Sequence, residues 1–124
     1  MEKIELQHQE VEVGRFESVG DVRQVFVGRD AQGTRVRQEV RGPSSEVAFG
    51  EEAHTLRIAL EADQAARLER CLVAFGGIEG FLRSEERDLI DLMDLCDREG
   101  VAYAFWSEGP RTGTYFRAAA APVS

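Results

Sequence analysis

The stretch Leu56-Arg57-Ile58-Ala59-Leu60-Glu61-Ala62-Asp63-Gln64-Ala65-Ala66-Arg67-Leu68-Glu69-Arg70-Cys71-Leu72 changes period partway through, and that change decides the fold. Leu56, Ile58 and Leu60 alternate with Arg57 and Ala59, the pattern of a half-buried strand. From Asp63, a good N-cap, the apolar residues Leu68, Cys71, Leu72 and Phe75 instead share one helical face. Gly76 and Gly77 then stop the helix.

Upstream, residues 3–60 read as strands. Ile4 and Leu6, then Val11 and Val13, alternate with glutamates, with a break near His8. Two further strands span 22–27 and 34–40, and Val47-Ala48-Phe49 is a candidate short strand. Downstream, Ser84 is a candidate N-cap for a second helix, with Glu85 and Glu86 in a first turn that favours negative charge. Leu89, Leu92, Met93 and Cys96 form its apolar stripe, widened by Ile90, and Gly100 stands where a left-handed C-terminal residue belongs. Residues 101–106 and 114–117, joined through Gly109-Pro110, read as a closing hairpin. The expected class is α+β: an antiparallel sheet of the N-terminal strands and the C-terminal hairpin, with two helices packed on one face. Four strands followed by a helix over residues 3–75 resembles the layout of Whirly and PUR-type domains, which bind single-stranded nucleic acid.

The chain has 124 residues and is 43% hydrophobic, which suits one domain over 1–124 with a frayed tail at 118–124. A chain of this length buries roughly 65–70% of its unfolded surface and needs no covalent staples. Its net charge of -8 argues against unspecific binding to nucleic acid or anionic membrane over the whole surface. No basic-then-apolar leader and no run of about 20 apolar residues occurs, so the expectation is a cytoplasmic protein with no membrane association. Cys71 and Cys96 lie among leucines on helix faces, outside any Cys-x-x-Cys pair, and are expected to pack as small apolar residues.

Two charged features stand out. If Asp30-Ala31-Gln32-Gly33 forms a three-residue loop with Gly33 left-handed, Asp30 pairs with Thr34, and Arg23, Arg29, Arg35, Arg37 and Arg41 share one face. Phe26, Val36 and Val40 then point to the core. Residues 23–41 carry five arginines against Asp30 and Glu39, a local net of +3. Such a face suits phosphates or a carboxylate-rich partner; alternatively its arginines pair with Glu10, Glu12 or Glu17 of a neighbouring strand. A four-residue loop instead slips the register by one and scatters them to both faces. The second feature is acidic: Glu85, Glu86, Asp88, Asp91, Asp94, Asp97 and Glu99 against Arg87 and Arg98, a net of -5 that sweeps across the exposed half of a helix.

Groupings that carry chemistry are sparse. His8 and His54 have no companions at metal-ligand spacing, Ser44 and Ser45 lack a glycine-flanked elbow, and residues 76–80 lack the Lys-Ser/Thr of a phosphate loop. No catalytic residue, metal or cofactor is expected. Tyr103, Phe105, Trp106, Tyr115 and Phe116 crowd the last hairpin, with Tyr103 and Phe105 on one face and Trp106 on the other. The leading expectation is a non-catalytic regulatory or adaptor protein binding another protein through the acidic helix. The alternative is a single-stranded nucleic-acid binder using the arginine face; a homo-oligomer fits either.

Overall fold

The computed structural model describes residues 10–119; the expected strand at Ile4–Leu6, the break at His8 and the tail beyond 119 lie outside them. One antiparallel sheet runs in the order β1 (Glu10–Ser18), β2 (Asp21–Asp30), β3 (Gly33–Arg41), β4 (Ala53–Glu61), β5 (Ala104–Gly109) and β6 (Gly113–Arg117). Helices α1 (Pro43–Phe49), α2 (Ala62–Cys71), α3 (Gly77–Leu82) and α4 (Leu89–Glu99) pack on one face. Among the described residues the other face carries no second layer. The fold is α+β.

The β2–β3 register departs from the expectation. Asp30 pairs with Gly33, leaving a two-residue loop, so Val27 stands opposite Val36, Phe26 opposite Arg37 and Gly28 opposite Arg35. The Asp30 carboxylate accepts from the backbone N–H groups of Gln32 (2.8 Å) and Gly33 (3.2 Å), a closure that needs no extra residue. Those bonds, with Arg35 beside it, hold the Asp30 carboxyl below the usual range. The apolar pattern decides the register: Val25, Val27 and Val36 are buried together, and Phe26 is turned to the open face.

Three elements differ from the reading of the sequence. Residues 47–49 end a helix rather than forming a strand, because Pro43 presets its first turn and Asp21 binds both the N–H (2.9 Å) and the hydroxyl (2.6 Å) of Ser44. The first long helix starts after Glu61, with Asp63 inside its first turn, and ends at Cys71. A 3-10 turn (Val73–Phe75) and α3 follow, so Cys71 and Phe75 are exposed while Leu68, Leu72, Ile78 and Leu82 are buried. The last helix is capped by Asp88, not Ser84: Asp91 N–H donates to the Asp88 carboxylate (3.0 Å) and Asp88 N–H to that of Asp91 (2.9 Å). Leu89, Leu92 and Cys96 form its buried stripe, Met93 packs beside them, and Ile90 points outward at 44% exposure instead of widening it. Gly100 is left-handed (φ 72°) and ends the helix as expected.

The core lies between the helices and the inner residues of β1–β4, chiefly Val25, Val27, Val36, Leu56, Ile58 and Leu60. Polar ties fasten the layers. Gln38 Oε1 accepts from Leu89 N–H at 3.0 Å, and Arg29 reaches from β2 to Glu69 (2.7 Å) and Glu79, under α2 and α3. These two carboxylates raise the Arg29 pKa further, and Arg29 in turn lowers that of Glu79.

Candidate binding surfaces

The register separates the five arginines. Arg35, Arg37 and Arg41 project from the open face, whereas Arg23 and Arg29 project toward the helices, so the single basic face does not form. On the open face Arg37 bonds Glu10 (2.8 Å) and Glu39 and covers the Phe26 ring at 4.0 Å. Arg35 bonds Asp30 (2.8 Å), and Arg57, on β4 and outside that hairpin, bonds Glu108 (2.8 Å). Most of the positive charge there is met by carboxylates of the same face. Between these side chains runs a trough of about 400 Å³, lined by Arg35, Arg37, Arg57, Ala59 and Trp106. Trp106 packs against Phe116 on the outer side, while Tyr103 is buried and Phe105 packs against the core. Only strand pairing brings β5 beside β4, so no local signal linked Arg57 to Trp106.

The acidic residues divide differently. Asp88 and Asp91 serve the cap of α4, and burial beside Asp91 pushes the Asp88 carboxyl above its ordinary value. Asp97 accepts the Tyr103 hydroxyl (2.9 Å); burial and that carboxylate push the Tyr103 pKa up to about 12. Glu85 and Glu86 stand in the turn before the helix and Asp94 on its exposed side, and their carboxylates make no ion pair among the described residues.

At the N-terminal end of α4 Glu85 meets a cleft of about 310 Å³, which neither Glu86 nor Asp94 lines. Phe16, Val40, Phe49 and Ile90 supply its apolar lining, and Asp21, Glu85 and Asp88 its acidic groups. Arg23 enters the same cleft: its guanidinium lies over the Phe16 ring (4.7 Å) and donates to the Glu85 carbonyl (2.8 Å). Arg41 lines it as well. The composition is that of a small anchor pocket beside a charged surface.

A buried polar cluster joins the start of β4 to the β5–β6 turn. Glu51 accepts from Arg111 N–H (2.8 Å), Thr112 N–H (3.4 Å) and the Thr112 hydroxyl, and its carboxyl is held below the usual range, first by that hydroxyl. His54 lies between Glu51 (Nδ1, 3.3 Å) and Ser107 (Nε2, 2.6 Å), with Phe49 stacked on its ring at 4.1 Å. A carboxylate only accepts, so Nδ1–H donates, and in the neutral ring Nε2 accepts the Ser107 hydroxyl proton. The sequence of groups is that of a serine–base–acid relay. Yet neither the trough nor the α4 cleft is lined by Ser107 or His54, and Phe49 covers the imidazole. The cluster works as a clamp on the turn. Its members lie up to 61 residues apart in sequence, from Glu51 to Thr112, and nothing local announces it.

Cys96 is buried, which pushes its thiol up to about 12 and suits packing rather than nucleophilic attack. Among the described residues no set of three or more His, Cys, Asp or Glu is placed to hold a metal ion, and no helix is long and apolar enough to cross a membrane. No family model, curated protein or solved structure matches the chain.

Proposed function

We propose that the chain is a non-catalytic regulatory or adaptor protein of the cytoplasm that binds a basic partner protein on the N-terminal end and outer side of α4. The observation that supports this most directly is the cleft lined by Phe16, Val40, Phe49, Ile90 and Glu85, with Glu86 next to Glu85 in the chain and Asp94 one turn along α4 from Ile90; these three carboxylates make no ion pair among the described residues. An apolar side chain of the partner fills the cleft and supplies most of the affinity. The carboxylates steer basic neighbours and reject acidic ones.

Selection from a random peptide library tests this. The expected peptides pair an apolar anchor with flanking Arg or Lys, bind more weakly as salt rises, and lose roughly tenfold in affinity to E85Q/E86Q/D94N. Ile90→Ala weakens them further. Peptides with no basic bias, or equal binding to the variants, defeat the reading.

A second reading rests on the trough of the open face, where Trp106 offers a stacking surface beside Arg35, Arg37 and Arg57. Single-stranded nucleic acid fits such a site. A fluorescent single-stranded DNA then binds at low ionic strength, releases steeply with salt, and loses affinity in R35A/R57A. Absence of binding at low salt removes this reading.

A further inference from the structure

The sheet has two edges, and they are built differently. β1 carries Glu10, Glu12, Arg15 and Glu17, and its register is broken by a bulge between Glu12 and Gly14. Charges and a bulge are the devices by which proteins keep an edge from pairing with another chain. β6, Gly113-Thr114-Tyr115-Phe116-Arg117, has no bulge in its pairing with β5 and a single charge, Arg117. All five of its residues are exposed, with Tyr115 at 59% and Phe116 at 51%. Among the described residues no strand lies beyond its outer backbone groups. A regular edge rich in β-formers and open to solvent is a template for one more strand.

We propose that this strand is β6 of a second copy, joined antiparallel about a two-fold axis at Tyr115. The sequence is self-complementary in that register. Tyr115 faces its own copy, Thr114 faces Phe116 of the other chain, and Gly113 faces Arg117, so no like charges meet. Charge also selects this edge. The chain bears -8 overall, but residues 104–117 hold only Glu108, Arg111 and Arg117, a net of +1. Two copies meet here with the least repulsion. The product is a continuous twelve-stranded sheet, twice the six of one chain. A two-fold axis perpendicular to that sheet puts both helix layers on the same side. The pairing needs neither the α4 cleft nor a partner protein.

Sedimentation equilibrium with reductant, which keeps the exposed Cys71 from cross-linking, tests the proposal. A contact five residues long is small, so dimerisation is expected at about 200 μM and dissociation at about 1 μM. The mass then approaches twice the 13.8 kDa of one chain. Tyr115→Lys places two cations against each other on the axis and holds the protein monomeric, with its circular dichroism unchanged. An equimolar mixture of Tyr115→Lys and Tyr115→Glu regains the dimer, which a merely misfolded variant does not do. A wild-type chain monomeric at about 200 μM overturns the proposal. So does a Tyr115→Lys dimer as tight as wild type, or a mixture that stays monomeric.

Discussion

At residue scale the firmest consequences come from groups with no room or no alternative partner. A Cβ on Gly33, whose φ is 152°, would lie 1.9 Å from the Leu60 carbonyl oxygen of the neighbouring strand. Backbone cannot yield there without breaking the β3–β4 ladder. Gly33→Ala is therefore expected to cost about 2–4 kcal/mol in urea unfolding. Glu51 makes a different prediction. Its carboxyl sits below the ordinary value of 4.5 because Thr112 and Arg111 bind the charged form. A lowered folded-state pKa gives stability that is complete above the unfolded value and lost as pH falls through the folded one. Glu51→Gln should be less stable than wild type at pH 7, and the gap in urea midpoint should narrow steadily below about pH 4.5. A gap independent of pH would show that the charge of Glu51 is immaterial to the clamp.

Between elements, the beginning of α4 separates two residues that look alike in sequence. Ser84 and Asp88 both precede apolar periodicity, yet only Asp88 exchanges bonds with the residue three positions on. Ser84 instead accepts from Glu86 N–H (3.1 Å) in the preceding turn. Asp88→Ala is expected to lower stability by about 1 kcal/mol and Ser84→Ala by less than about 0.5 kcal/mol, measured by thermal or urea unfolding. Leu92, fully buried in the stripe, should cost about 2–5 kcal/mol when cut to alanine. The choice between the two caps was not legible from spacing. It is made by how far α3 carries the chain before Leu89 can enter the core beside Gln38.

For the molecule as a whole, the helices and the inner face of β1–β4 share one core, to which the last hairpin is joined by β4–β5 pairing and the Glu51 clamp. Trp106, the single tryptophan, lies on that hairpin. If one cooperative unit spans the chain, its fluorescence and the far-UV circular dichroism lose signal at the same urea concentration. An earlier tryptophan transition would mark the hairpin as a separate unit.

What the sequence by itself determined is everything governed by local period and by the chemistry of single turns. The strand at 56–60, the stripe of α4, the Gly100 stop, the closing hairpin and the placing of Tyr103 and Trp106 on opposite faces all follow from spacing within a few residues, whereas the choice of Tyr103's face as the buried one came from the packing of the sheet against the helices. Tertiary structure alone decided the β2–β3 register, because a loop one residue shorter keeps the strands but exchanges their faces. Burying Val36 of β3 with Val25 and Val27 of β2 settled that choice and divided the arginines. It likewise assembled the α4 cleft, the Arg57–Trp106 trough and the Glu51–His54–Ser107 clamp. Each of these joins side chains from strands or helices far apart in sequence, and such neighbours are chosen by packing of the whole core rather than by any local preference.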